Sequence, residues 1–193
     1  MASSGPRYSL VAITLHWVIA ALLFTNLYLG LTMHGEHGMA KFSAMQLHKS
    51  FGFTILGLAL LRLTWRLAHR PPSFPETMKG WEKSAAHVVH WGFYFIILVM
   101  PLAGWIMVSA SPTNIPTLLY KTLPMPHIGF IHALPMDARK TTEDLAGLAH
   151  FLLAWLVMLL IVLHLGAVLK HQFWDKDGVL YRMSPFRRPS TSA

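Results

Sequence analysis

Histidine is the residue of this chain best suited to chemistry, because twelve histidines occur beside only eight carboxylates and no cysteine. Imidazole ligates several transition metals and changes its charge near neutral pH. Half of the histidines fall in long apolar stretches, where an ionisable ring is costly and faces the interior of a helical bundle. These six are His16, His48, His87, His90, His150 and His164. The other six lie at ends or in loops and are expected to be solvated.

The last apolar stretch carries two of these histidines. His150 and His164 are fourteen residues apart, so their rings project from nearly the same helix face, about 21 Å apart along the axis. His16 is expected to lie level with His164, and His48 level with His150. Two histidine pairs at two depths are what two haems with two axial imidazoles each require in a bundle core.

Small and basic residues stand at positions level with these pairs. Counting fourteen residues on from His16 reaches Gly30, and from His48 the same step reaches Arg62. Gly30 leaves room for a flat macrocycle, and Arg62 can pair with haem propionates. Gly52, one turn from His48, likewise clears space beside the ring.

His90 competes with His16 at the level of His164. Spacing alone favours His16 only modestly, because three histidines share this depth and a haem takes two. His90 could instead hydrogen-bond a propionate, a bound quinone or a neighbouring helix, and the role of His87 is open.

Other uses of membrane histidines fit the pattern less well. A zinc cage needs three or four ligands together, whereas these pairs are about 21 Å apart. A proton relay normally includes membrane carboxylates, which the interiors of these stretches lack. A haem-free transporter or assembly protein is a further class, which a visible spectrum distinguishes.

Composition places these histidines in a lipid bilayer. The 193 residues are 54% hydrophobic and 12% charged, with a mean hydropathy of +0.46, and such a chain is typical of membrane proteins. The absence of cysteine excludes disulfides, iron–sulfur clusters, thiolate-ligated haem and covalently attached haem. Four stretches reach the roughly 20 residues that span a bilayer: 10–33, 46–68, 84–110 and 144–169.

The predicted fold is therefore all-α, an integral membrane four-helix bundle. A single transmembrane domain covers residues 1–182, and residues 183–193 are expected to be a disordered tail. Residues 111–142 hold five prolines and no span of membrane length, so they are expected to form an extracytoplasmic cap between the third and fourth helices.

Basic residues indicate the orientation. Eleven lie on the side of the termini and five on the other side (Lys41, Lys49, Lys121, Arg139 and Lys140). Positive charge stays inside, so both termini are expected to be cytoplasmic in a bacterial inner membrane. Because topology explains most of the net charge of +8, no nucleic-acid partner is expected.

Four segments together resemble the prokaryotic cytochrome b561 family, over nearly the whole chain apart from the tail and part of the cap. They are RYSLVAITLHW, LHKSFGFTILGLALLRLTWR, HWGFYFIILVMPLAGW and LAHFLLAWLVMLLIVLHLGAVLKHQFWDKDGVLYRMSP. The resemblance implies a four-helix bundle with two non-covalent b haems. It places the ligands at His16, His48, His150 and His164, which settles His16 over His90.

The resemblance also implies two functions. The characterised branch of the family oxidises superoxide at the outer face and reduces ubiquinone, so this chain is expected to be an electron-transfer protein of that kind. Lys41, Lys49, Arg139 and Lys140 would then attract a small anionic donor. Alternatively, the chain is a haem b relay and membrane-anchor subunit of a dehydrogenase or hydrogenase. Whether it acts alone, as a homodimer or with a partner subunit is left open.

Overall fold

The computed structural model describes residues 7–186 and is mainly helical. Within them, four helices are long and apolar enough to cross a membrane, so the predicted all-α membrane bundle is confirmed. The elements in chain order are α1 Leu10–Thr32, a 3₁₀ turn Met33–Gly35, α2 Gly38–Ala68, α3 Gly80–Ala110, β1 Thr117–Leu119, β2 Leu123–Met125, α4 Gly129–His132, α5 Met136–Lys170, a π-helical turn His171–Asp175 and α6 Val179–Met183.

Three of the long helices begin before the starts that hydropathy predicts at residues 46, 84 and 144. They begin instead at Gly38, Gly80 and Met136. Their first turns contain polar and charged residues, such as those of the segment MDARKTT in α5. These turns belong to the hydrogen-bonded helix but precede its apolar stretch, so hydropathy does not reveal them. Residues 136–142 of the predicted cap therefore belong to α5.

The long helices alternate in direction and pack in sequence, α1 against α2, α2 against α3 and α3 against α5. One end of the bundle carries residues 111–135 and is called the cap end. The opposite end carries both ends of the described chain and is called the terminal end. Buried apolar side chains fill the contacts among α1, α2 and α3 (Ile19, Ile55, Ala59, Tyr94 and Ile97) and the contact of α3 with α5 (Ile96, Val157 and Leu160).

A short antiparallel hairpin, β1 and β2, lies on α2 at the cap end, with Thr117 opposite Met125. Gln46, which is fully buried, fastens it: its Nε2 donates to Pro116 O at 2.7 Å and its Oε1 accepts from Leu118 N at 2.8 Å. Ser50 Oγ accepts from Tyr120 N at 2.8 Å. Two buried polar side chains of α2 thus satisfy backbone groups of the hairpin that would otherwise lack partners.

Arg139 joins α3 to α5 at the cap end. Its side chain is 7% exposed, and it donates to Ala110 O at 3.1 Å, Ser111 O at 2.5 Å and Asn114 Oδ1 at 2.8 Å. The two carbonyls belong to the end of α3, where the helix dipole favours a cation.

The last described residues cross the terminal end and reach the start of α1. Arg182 O accepts from Tyr8 N at 3.1 Å, Met183 O from Trp17 Nε1 at 2.8 Å and Ser184 O from Arg7 Nη2 at 2.6 Å. Residues 183–186 of the predicted tail thus contact α1 and the residues before it, and 187–193 lie outside the described residues.

Candidate cofactor-binding site

The four histidines predicted as ligands form two pairs. The cap-side pair, His48 and His150, has ring centroids 6.1 Å apart, and the terminus-side pair, His16 and His164, has centroids 6.3 Å apart. Two imidazoles on opposite sides of one metal ion, each with a metal–nitrogen bond of about 2.0 Å, have centroids about 6.3 Å apart. Both pairs therefore have the spacing needed to hold one metal between them.

The helices around these pairs are packed unevenly. α5 makes its extensive helix contact with α3, whereas α1 and α2 have few close backbone approaches to α5 among the described residues. The histidine pairs nevertheless bridge from α1 and α2 to α5. Between the two levels lies Val157, seven residues from each α5 histidine and fully buried against Ile96 and Leu160. The interior thus has two polar levels separated by an apolar layer.

Each cap-side histidine donates a hydrogen bond to a main-chain carbonyl. His48 Nδ1 lies 3.1 Å from Asn26 O in α1, and His150 Nδ1 lies 3.0 Å from Met100 O in α3. Because a carbonyl only accepts, Nδ1 carries the proton in both rings and Nε2 keeps its lone pair. That is the tautomer in which Nε2 ligates a metal.

The terminus-side level contains a third histidine and an arginine. The ring of His90 lies 5.8 Å from that of His164, closer than the ring of His16. Arg62 Nη1 donates to His16 Nδ1 at 3.1 Å, and its guanidinium lies over Tyr94. The three predicted histidines do come together here, and their spacing does not choose between His16 and His90.

Glycines matter at the cap-side pair, though not all where the sequence indicated. A Cβ at Gly30 would lie 3.2 Å from His48 Cε1, so this glycine makes room for the imidazole. A Cβ at Gly52 would meet only Asn26 Nδ2 at 3.9 Å, an ordinary contact. Sequence reasoning missed Gly104, whose Cβ would lie 3.3 Å from His150 Cε1 and Nδ1. Only the pairing of α3 with α5 reveals this contact.

The exposure of His87 and His171 is the reverse of what the sequence predicts: His87, in an apolar stretch, is exposed, and His171, near the end of the chain, is buried. His87 is exposed, donates to Lys83 O at 2.9 Å and packs edge-on against Phe74. His171 was expected to be solvated, but it is 7% exposed and bonds to Asp177 Oδ2 at 2.7 Å. The signal in the sequence was its position seven residues after His164, which continues the interior face of α5 through two more turns.

A lysine network surrounds His171 at the terminal end. Lys170 Nζ contacts Glu82 Oε1 at 2.7 Å and Asp175 Oδ2 at 2.5 Å. His171, Asp175 and Asp177 line a cleft of about 220 Å³ together with Glu82 and residues 77–79. Glu82 belongs to α3, Lys170 to α5 and Asp175 to the turn that follows α5, so this network joins the three elements. Each carboxylate has a cationic or N–H partner.

The predicted cationic group at the cap end is smaller than expected. Arg139 is buried and its guanidinium is bonded to three oxygen atoms, so it is not part of an open surface. Lys140 is exposed, and Lys41 and Lys49 are partly exposed. The expectation that all four residues present their charge to a donor is wrong for Arg139.

Two cap histidines stack near Lys49. The rings of His127 and His132 lie 5.0 Å apart with an interplanar angle of 16°, and His132 Nδ1 donates to Ser109 O at 3.3 Å. Burial lowers the pKa of His127, and the charges of His132, Lys49 and Arg139 lower it further. This imidazole therefore stays neutral near pH 7.

Comparison with known proteins agrees with this geometry. A family model described as prokaryotic cytochrome b561 matches residues 7–186. The chain belongs to the prokaryotic cytochrome b561 family. It is 30% identical over 180 residues to cytochrome b561 homolog 2 of Escherichia coli (strain K12), covering 92% of this chain and 90% of that protein.

Two further relatives align over similar lengths. A probable superoxide oxidase CybB of Yersinia pestis is 27% identical over 186 residues, covering 94% of this chain and 98% of that protein. Cytochrome b562 of Cereibacter sphaeroides is 28% identical over 184 residues, covering 92% and 95%. This chain is thus a membrane electron-transfer protein of the cytochrome b561 family, and family membership implies haem b as its cofactor.

Proposed function

We propose that this cytochrome holds two b haems, one between His48 and His150 and the other between His16 and His164. The observation that carries the proposal is the spacing of the two pairs, 6.1 and 6.3 Å between ring centroids. Cap-side tautomers with a free Nε2 and the apolar layer at Val157 support it. Arg62 is the side chain that would pair with propionates at the terminus-side level, and His90 would lie beside that haem.

When bound, the haems would supply one-electron transfer through the bilayer. His48 with His150, and His16 with His164, would leave no position on either iron for a substrate, so the protein would act on its substrates without ligating them. We propose that the donor is superoxide at the cap end and the acceptor is ubiquinone. Two superoxide anions then lose one electron each and leave as dioxygen, while one quinone takes up both electrons and two protons.

Charge and topology support the entry of electrons at the cap end. Lys41, Lys49 and Lys140 lie at the cap end, with Lys49 directly after His48 in the chain, and such charges raise the encounter rate with a small anion. The excess of basic residues at the terminal end favours a cytoplasmic location for both termini. In a bacterial inner membrane, the cap end would then face the periplasm or exterior and would meet the donor there.

Haem stoichiometry tests the first part of the proposal. A pyridine haemochrome assay on the purified protein is expected to give two b haems per chain. His150→Ala and His164→Ala should each remove one of them, since each substitution breaks a different pair. Retention of both haems in both variants would contradict the assignment of ligands.

Superoxide-dependent reduction of a soluble ubiquinone by the isolated chain tests the second part. The wild type should reduce quinone when superoxide is generated enzymatically, and His150→Ala should not. Lys140→Gln should slow the reaction, with a smaller effect at high salt because the attraction is screened. A haem-replete chain that is inactive and co-purifies with a dehydrogenase would instead identify a relay subunit.

A further inference from the structure

The two cap-side histidines contact their neighbouring helices in the same way. His48 lies against Gly30 of α1 and donates to Asn26 O, while His150 lies against Gly104 of α3 and donates to Met100 O. In both cases the acceptor carbonyl is four residues before the glycine. Each ring thus contacts a glycine and bonds to the carbonyl that precedes this glycine by four residues.

Helix geometry explains why the two features occur together. In an α-helix, the carbonyl of residue i accepts from the N–H of residue i+4, which here is the glycine itself. The second lone pair of that carbonyl remains available, but a side chain at i+4 would obstruct an approach over this part of the helix. A Cβ at Gly30 or Gly104 would lie 3.2 or 3.3 Å from the imidazole. Glycine therefore lets the ring come close enough to donate.

The terminus-side pair has no such arrangement in residues 7–186. His16 Nδ1 accepts from Arg62, and the His164 ring has no main-chain carbonyl partner among these residues. The cap-side pair is thus the one whose ring orientation and tautomer are both fixed by main-chain atoms, which move less than side chains do.

We propose that Gly30 and Gly104 are positioning residues, which fix the Nδ1-protonated tautomer of His48 and His150 and so set the affinity and reduction potential of the cap-side haem. This inference rests on the proposed function, because it assumes that the cap-side pair ligates haem. Carbonyl acceptors make a ligating imidazole more basic, and loss of such a partner typically weakens metal binding by about 10- to 100-fold.

Alanine substitutions test the proposal against matched controls. Gly104→Ala and Gly30→Ala add a methyl group against the ring, whereas Gly57→Ala and Gly166→Ala add one at helical positions with no neighbouring atom within 4 Å. Haem affinity is measured by titration with haemin, and each potential by redox titration with low-spin EPR spectra. We expect about 10-fold weaker binding at the cap-side site in each test variant. Its potential and EPR signal should also shift, while the terminus-side haem and both controls remain unchanged.

Three outcomes would each contradict the inference. Wild-type affinity, potential and spectrum in Gly104→Ala and Gly30→Ala would overturn the inference. Loss of both haems together would indicate a general packing role and would also contradict it. The exchangeable Nδ1 proton of the cap-side ligands, observed by electron–nuclear double resonance on wild-type protein, provides a readout that needs no variant, and its absence would overturn the inference too. A wild-type protein without haem would instead refute the proposed function.

Discussion

Arg62 donates a hydrogen bond to Nδ1 of His16 across 3.1 Å. A guanidinium has only donors, so Nδ1 of His16 must hold a lone pair and Nε2 the proton. This is the opposite tautomer to that of His48 and His150, which donate from Nδ1. Ligation of iron through Nε2 of His16 would therefore require the other tautomer, to whose Nδ1 Arg62 cannot donate.

Haem should accordingly bind to the cap-side site before the terminus-side site. In His164→Ala only the cap-side pair remains, and in His150→Ala only the terminus-side pair remains. Breaking the bond between Arg62 and His16 costs about 1–3 kcal/mol, so we expect His150→Ala to bind haemin roughly 10-fold more weakly than His164→Ala. Titration of haem-depleted protein measures both affinities. Equal affinities, or the reverse order, would show that Arg62 does not delay binding.

His90 should prove dispensable for haem binding although its ring is the nearer neighbour of His164. We expect His90→Phe to retain two haems per chain and His16→Phe to retain one, because family resemblance assigns the axial position to His16. Haemochrome assays on the purified variants measure this. One haem in His90→Phe together with two in His16→Phe would transfer the ligand role to His90.

The bond between His171 and Asp177 should stabilise the terminal end. Asp177 accepts from His171 Nδ1 at 2.7 Å and from Val179 N at 3.1 Å, and its side chain is 4% exposed. Asp177→Asn should lower the free energy of unfolding by about 2 kcal/mol, since buried donors lose a charged acceptor. Thermal unfolding in detergent, followed by tryptophan fluorescence, measures the loss. Asp144→Asn, at an exposed position, is the control and should change little; equal stability of the two variants would refute a stabilising role.

Acidification should destabilise the cap through His127. Burial, His132, Lys49 and Arg139 lower the pKa of this histidine in the folded protein, so the unfolded chain binds a proton at a higher pH than the folded chain does. The contribution is constant above about pH 6.5 and is lost as the pH falls below that value toward the folded pKa. His127→Gln removes the titrating group, so its melting temperature should fall less than that of the wild type between pH 7.5 and pH 5.5. Parallel pH profiles would contradict this account.

The histidine pairs were predictable because both depend on quantities that a sequence contains. The fourteen-residue step from His150 to His164 fixes a depth interval on one helix, and the alternating direction of four apolar spans places His16 and His48 at matching depths. No knowledge of side-chain contacts was needed. The same reasoning could not decide between His16 and His90, since depth alone does not determine which rings face each other.

Features that depend on how each helix is rotated about its own axis could not be predicted from the sequence. Gly104 stands 46 residues before His150 in the sequence, and only the packing of α3 against α5 brings the two together. The sequence places Arg139 with the cations expected to attract a donor, whereas the structure bonds its guanidinium to the last carbonyls of α3. The cap hairpin could not be predicted either, because the contacts that satisfy its backbone groups come from Gln46 and Ser50 of α2, distant in the sequence.

The contact of Tyr8 N with Arg182 O at 3.1 Å brings the two extremities of the described chain side by side. The described part of the polypeptide, residues 7–186, is thus nearly a closed loop, and a short peptide linker could join residues near its two ends. A circular permutant opened at Lys121, in the exposed turn between the two cap strands, would interrupt no membrane-spanning segment. In such a molecule the order of the helices along the chain would change while both histidine pairs kept their places.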